Sequence, residues 1–502
     1  MVDKSDDKRV KGAVGGVIYF MFAKIYFMAA GYAVVFGLPY AFRWQALQGG
    51  LDQAAAGMQS VKHYGHFLLV NEAVGLLNMV LIDGTRYTVS KFISADESNA
   101  GMVRRVSLLL QACIGGALTL AYFLSAPLVA DIFHRPELVD AYRISALIPL
   151  SYTFYAVFRG YLNGMRSFFR EAVLDVSFST VKPVAMLAAV FLGFGVLGAM
   201  GGFALAALVI TLVALAMTLG GPRREPVAAR DLWSFQWKIM MFTALFYALI
   251  KVDLFLIGIL LTGEAGDLAT GRYGSMLQIA RIVWQGTFAI TVVIFPLVSK
   301  VVAEGEPETA KRYISQALRF TFLIAGFLAV AFSANAPEVL SIVFPSKAFA
   351  VDPAPLRIMA FAKLAFALFM VTTTVISGSG RPLASVALVA CTLAVSITLN
   401  SLAIPRWGLM GAAVATASAS AVGLGMALTY LRKTLGAGVP GGTALRGGAV
   451  MLACWLLSYN LDLGGKMADL GELVGLGLLY VVLVLLVREI TPTEIKSLRS
   501  RS

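Results

Sequence analysis

The chain has 502 residues, is 59% hydrophobic, and carries 41 basic against 28 acidic side chains, for a formal net charge of +13. Mean hydropathy is +0.80 and only 14% of residues are charged, too little polar surface to cover a soluble chain of this length. Composition therefore excludes a soluble enzyme or binding domain and points to a polytopic helical membrane protein, in which each crossing needs about 20 mainly apolar residues.

In chain order the apolar runs place spans at 14–40, 67–90, 105–126, 142–163, 170–193, 197–220, 235–262, 273–299, 313–335, 356–378, 383–404, 408–431, 443–460 and 470–488. The expected fold is an all-α integral membrane protein with 14 transmembrane helices. An even count puts both termini on one side. On that side lie 27 Lys and Arg, among them Lys4, Lys8, Arg104, Arg105, Arg223, Arg224, Lys311 and Arg432, against nine on the other. Basic residues mark cytoplasmic loops, so both termini are expected in the cytoplasm, with a cytoplasmic-membrane location and outer loops at 41–66, 127–141 and 336–355. The same asymmetry accounts for most of the net charge, as topology and contact with anionic lipid rather than nucleic-acid binding.

The first apolar run is too long for a signal core and is read as a retained span. Cys113, Cys391 and Cys454 all fall within spans and form neither a disulfide framework nor a metal spacing. His63 and His66, three apart near the outer end of the second span, are read as an interfacial pair, since two ligands do not close a metal site. No cofactor is expected.

The chain also repeats itself with a period near 212 residues. Ser125-Ala126-Pro127 follows the third span and Asn335-Ala336-Pro337 the ninth. Gly195-Val196-Leu197-Gly198-Ala199 opens the sixth span and Gly408-Leu409-Met410-Gly411-Ala412 the twelfth. Asn163-Gly164-Met165-Arg166 and Ser379-Gly380-Arg381 sit at the turn after the fourth span of each half. Six spans per half give parallel repeats related by an axis along the membrane normal, a transporter signature with binding near the midplane between the halves. The glycine turns predict tight helical hairpins. The expected organisation is a lobe at 1–220, a cytoplasmic linker at 221–234 containing Pro222 and Pro226, a second lobe at 235–435, and two added helices with a tail at 436–502.

On these motifs, and on Lys251-Val252-Asp253, Gly271-Arg272-Tyr273-Gly274 and Phe295-Pro296-Leu297, the chain resembles the multidrug/oligosaccharidyl-lipid/polysaccharide (MOP) exporter superfamily over about residues 12–435. Within it, the flippases for polysaccharide and lipid-linked oligosaccharide fit best, and lipid II flippases share the two added spans. The resemblance implies two lobes that rock between inward and outward access. It also implies that Lys24 and Arg281 stand where lipid II flippases place basic cavity residues in their first and eighth helices.

Five cations lie well inside spans: Lys24, Lys182, Lys251, Arg281 and Lys363. Facing lipid, they would cost roughly 12–18 kcal/mol together, comparable to a domain's entire stability. They are therefore expected to face water, a partner or a ligand. Polar stripes at helical spacing accompany them: Gln278, Arg281 and Gln285; Asp175, Ser179 and Lys182; Thr243, Tyr247 and Lys251; Thr392, Ser396 and Asn400. Glu72, Asp175 and Asp253 are the candidates for ion coupling or internal pairing. Asp253 and Lys251, two residues apart, cannot point the same way. The alternative for each charge is a salt bridge that fixes helix packing.

Excess buried positive charge suits an anionic cargo, since Lys and Arg bind phosphate oxygens through charge-assisted hydrogen bonds. The leading expectation is a flippase for a polyprenyl diphosphate-linked oligosaccharide in polysaccharide biosynthesis. Its drive would be an ion gradient, H+ or Na+, or the membrane potential, because no P-loop is present. A lipid II flippase is the alternative within this class. A drug/cation antiporter of the same fold would favour carboxylates in its cavity. A membrane ligase or polymerase would need an outer loop rich in acids and bases, which the chain lacks.

Overall fold

The computed structural model describes residues 4–220, 226–460 and 466–489; the side chains of 1–25, 466, 467 and 470 lie outside the description. All regular elements among the described residues are helical: α1 (Lys4–Gln48), α2 (Gln53–Ala95), α3 (Ala100–Ile132), α4 (Val139–Ser145), α5 (Leu147–Gly164), α6 (Phe168–Ala189), α7 (Gly195–Met217), α8 (Ala229–Leu260), α9 (Gly263–Gln285), α10 (Phe288–Ala303), α11 (Pro307–Ala334), α12 (Ala336–Val343), α13 (Ala354–Gly378), α14 (Pro382–Leu435), α15 (Gly441–Tyr459) and α16 (Lys466–Leu486), with short 3-10 or π turns between some of them. Eight stretches among them are long and apolar enough to cross a membrane. Four of these, Gln53–Ala95, Phe168–Met217, Gly263–Ala303 and Pro382–Leu435, run through 41 to 54 residues. The protein is an all-α multi-pass membrane protein. Each apolar run read from the sequence falls on helix over most of its length.

The chain divides into two compact units, one of Met1–Lys251 with Thr262–Gly271, the other of Val252–Leu261 with Arg272–Ser502. In the first unit α2 packs on α5, and α6 packs on α1 and α7. Gly160 and Gly164, one turn apart on α5, bring its backbone against Val89 and Ile93 of α2; a Cβ on either would lie 2.7 Å from the facing side chain. Small residues one turn apart allow this approach where lipid gives no hydrophobic drive to association. In the second unit α13 packs on α14 and α11, and α15 and α16 pack on α11. Gly326 of α11 leaves room for Met451. Tyr480 donates to the Leu323 carbonyl at 2.9 Å, and Trp455 Nε1 donates to Ser333 Oγ at 3.0 Å.

Both expected hairpins are present. α6 passes through a π-helical turn, Val190–Phe194, into α7, and Gly195 has φ 55° and ψ −140°. α14 folds at Gly408, with φ 54° and ψ −130°. Glycine adopts this region without the steric cost a Cβ would bring. The arms then meet at glycines: a Cβ on Gly202 would lie 2.5 Å from the Ala185 carbonyl oxygen, and one on Gly411 would collide with that of Ala403. The duplicated Gly-x-x-Gly-Ala motif thus encodes one turn twice, down to its dihedral angles.

Elsewhere the structure departs from the sequence reading. The expected outer loop 41–66 is mostly helix, because α1 continues to Gln48 and α2 starts at Gln53. Asp52 caps α2 by accepting from the backbone N–H groups of Ala54 and Ala55 at 3.0 and 2.7 Å. Apolarity marks where a helix leaves the bilayer, not where it ends. The expected loops 127–141 and 336–355 also contain helix, in the end of α3, in α4 and in α12. The duplicated Ala-Pro motifs behave differently: Pro127 lies inside α3, while Pro337 opens α12 after α11 has stopped. The run 273–299 is broken at Gly286 and Thr287, between α9 and α10. There Thr287 Oγ1 donates to the Trp284 carbonyl at 2.8 Å.

Candidate functional site

The charged residues singled out above divide between the two units. In the first, α2 presents Glu72 to Lys251 of α8, and the two form an ion pair with both side chains buried. Gly75, one turn along α2, lets the ammonium approach; a Cβ there would lie 3.2 Å from Lys251 Nζ. Lys182 on α6 lies over the Phe203 ring at 3.8 Å and also feels the charge of Glu72. Among the described residues, the Lys182 ammonium contacts aromatic rings and no carboxylate. The side chain of Lys24 lies outside the described residues.

Asp175 sits one turn above Glu171 on α6, and both carboxylates accept from Nη2 of Arg159 on α5 at 3.0 Å. Asn163 Nδ2 donates to the other Glu171 oxygen at 2.9 Å, and Arg86 of α2 lies 4.0 Å from Glu171. Ser179 turns back onto the Asp175 carbonyl at 2.6 Å. Arg159, which falls within the apolar run 142–163, is buried between these two acids. The readable signal was the i, i+4 spacing of Glu171 and Asp175 on one face of α6.

In the second unit, Asp253 on α8 is buried, accepting from the Leu254 N–H at 2.9 Å and from the Tyr273 hydroxyl at 3.1 Å. Lys363 on α13 is also buried, 5% exposed. The charged groups acting on it are Asp253 and Arg281. Arg281 Nη1 donates to Gln278 Oε1 at 3.2 Å, so the expected stripe on α9 is joined within itself. Gln285 is the last residue of that helix, just before the break at Gly286. Lys363 thus shares its neighbourhood with a second cation, Arg281, and with the Asp253 carboxylate, whose oxygens accept from Leu254 and Tyr273. Lys251 and Asp253, two residues apart on α8, point to different partners, as their spacing requires. Tyr273, noted above only within the motif at 271–274, enters this group as a hydrogen-bond donor.

The stripe of Thr392, Ser396 and Asn400 bonds within its own helix: Asn400 donates to the Ser396 carbonyl at 2.9 Å and Thr392 to that of Leu388 at 2.7 Å. The two histidines separate. His63 meets the Phe42 ring edge-on at 5.7 Å, while His66 is buried with Nε2 3.2 Å from Asp267.

Comparison with known proteins gives this arrangement its context. Residues 57–302 match the family model for polysaccharide biosynthesis protein. The uncharacterized membrane protein YabM of Bacillus subtilis is 24% identical over 430 residues, 77% of each chain. Among solved structures, the lipid II flippase MurJ in an inward closed conformation superposes with a TM-score of 0.71 at 13% identity, covering 95% of this chain and 99% of that one. An inward-facing multidrug resistance MATE transporter of the MOP superfamily superposes with a TM-score of 0.65 at 18% identity, covering 84% and 98%. The chain is thus a multi-pass helical membrane protein with the MOP transporter fold, and over residues 57–302 it matches the polysaccharide biosynthesis protein family.

Proposed function

We propose that the protein is a flippase that carries a lipid-linked oligosaccharide with an anionic diphosphate head group across the cytoplasmic membrane. The observation that carries this reading is the group of Lys363, Arg281 and Gln278, in which buried Lys363 neighbours both a second cation, Arg281, and the Asp253 carboxylate, while half-buried Arg281 is hydrogen-bonded to Gln278. Neighbouring cations repel strongly in a low-dielectric site, and a diphosphate can engage both through charge-assisted hydrogen bonds. The break between α9 and α10 adjoins this group, and interrupted helices line binding sites in many transporters. The proposed cavity set is Lys24, Lys182, Lys251, Arg281, Lys363, Gln278 and Gln285, with Glu72, Asp175 and Asp253 as internal partners or coupling sites.

In this reading, lobes at 1–220 and 235–435 alternate access around the cargo. Both termini are cytoplasmic, the lipid tail stays in the bilayer, and H+, Na+ or the membrane potential supplies the drive. A cation antiporter is disfavoured because cationic drugs would meet lysine and arginine. A lipid II cargo is the second reading. It is favoured by one observation: the MurJ superposition covers 95% of the chain, whereas the MATE superposition covers 84%.

Binding to the purified protein in nanodiscs tests the proposal. A polyprenyl diphosphate-linked sugar is expected to stabilise the protein against heat, and Arg281→Ala and Lys363→Ala are each expected to abolish that shift. Polyprenol without phosphate is expected to give no shift. Equal stabilisation of wild type and both variants would contradict the assignment.

A further inference from the structure

α9 begins in one unit and continues in the other, changing over between Gly271 and Arg272. Its first turns are held on the first unit by a charge cluster distinct from the groups above. Asp267 is buried and accepts from Arg135 Nε at 2.6 Å. Its second oxygen lies 3.4 Å from Lys62 Nζ. Arg135 also donates to the Phe133 carbonyl at 2.6 Å and reaches Thr270 Oγ1 at 3.5 Å. His66 of α2 stands between Asp267, at 3.2 Å, and Glu137, at 3.9 Å.

Beside this cluster the two backbones touch. A Cβ on Gly65 of α2 would lie 2.8 Å from Gly271 N, and a Cβ on Gly271 would collide with the Val61 carbonyl. His66, Glu137 and Asp267 have the donor atoms of a metal site. However, each Asp267 oxygen already faces a cation of the protein, which a divalent ion would have to displace. The cluster is closed by its own charges.

Buried ion pairs resist removal of one partner while adding little net stability as a set. That combination suits a contact that is either fully aligned or fully released. We propose that the Asp267 cluster and the Gly65–Gly271 contact form a latch at the outer end of α2 and α9. The latch is closed in this structure, and its release frees the first turns of α9 when the outer side of the transport path opens. This rests on the alternating-access element of the function proposed above and not on the identity of the cargo.

The test uses the full chain in lipid nanodiscs, with Cys113, Cys391 and Cys454 replaced by serine and spin labels at cysteines replacing Met58 of α2 and Leu268 of α9. These two residues line one cavity of about 370 Å³, so a closed latch gives a dominant short distance. Asp267→Asn strips the carboxylate from Arg135 and Lys62, and the longer distance is expected to become the major population. Gly271→Ala, which changes no charge, is expected to do the same by steric exclusion. If Asp267→Asn cannot be recovered folded, Gly271→Ala decides alone. A short distance kept by the folded variants, or absent from the parent protein, would overturn the latch. Neither reading depends on cargo, so a failed flippase assignment leaves this measurement intact.

Discussion

The Glu72–Lys251 pair makes an asymmetric prediction. Both side chains are buried within the first unit, and Lys182 is a second cation acting on the same carboxylate. Glu72→Gln therefore removes the carboxylate that both cations share. Removing one partner of a buried pair costs about 3–5 kcal/mol, so this variant is expected to lose that much. Lys251→Met leaves Glu72 with Lys182 and is expected to lose less. The double variant is expected to recover most of the Glu72→Gln loss, because replacing a whole buried pair with neutral groups is often close to neutral. Reversible unfolding in detergent micelles titrated with dodecyl sulfate, followed by tryptophan fluorescence, gives the three differences. A Glu72→Gln loss under about 1 kcal/mol, the range of an exposed pair, would refute the reasoning. So would a larger loss for Lys251→Met, or losses that simply add in the double variant.

The hairpin in α14 predicts opposite signs for two glycines on its second arm. Gly411→Ala is expected to destabilise by about 1–3 kcal/mol through overpacking against Ala403, while Gly425→Ala, with nothing within 4 Å, is expected to stabilise by up to about 1 kcal/mol through helix propensity; the same unfolding titration reads both. Arg159→Met leaves Glu171 and Asp175 facing each other without their shared donor, and is expected to cost about 3–5 kcal/mol and to lower membrane abundance on immunoblots; Asp175→Asn in that background is expected to restore part of it. For orientation, cysteines placed at Gln59, Glu137 and Ser346 are expected to react with an impermeant thiol reagent in cells stripped of any outer barrier. Protection of all three, with labelling at Ser234, would reverse the topology.

What the sequence disclosed follows from what each signal physically measures. Hydropathy located the apolar runs, and the glycine motifs located both hairpins, because a positive φ and a close helix contact each demand a residue without a side chain. Hydropathy could not find the ends of α1 and α2, whose polar outer turns remain helical beyond the apolar stretch. Nor could it separate α9 from α10, since a two-residue break at Gly286 and Thr287 leaves the run apolar. Charge spacing showed that Lys251 and Asp253 must diverge. Their partners, Glu72 and Tyr273, depend on packing between helices far apart in the chain. Arg159, inside the apolar run 142–163, went unremarked because its partners Glu171 and Asp175 stand on the next helix. Asp267 and Arg135, 132 residues apart, leave no local pattern that would join them.

The central claim is transport of an anionic lipid-linked sugar through a site containing Arg281. Its most direct test is the leaflet distribution of a fluorescent polyprenyl diphosphate-linked sugar in proteoliposomes, with wild type, Arg281→Lys and Arg281→Ala reconstituted at matched protein content. The account predicts movement between leaflets with wild type and partial activity with Arg281→Lys, which keeps the charge without the planar two-pronged donor. It predicts loss of movement with a folded Arg281→Ala. Wild-type rates from a folded Arg281→Ala, or no movement with wild type under an imposed ion gradient and membrane potential, would contradict it.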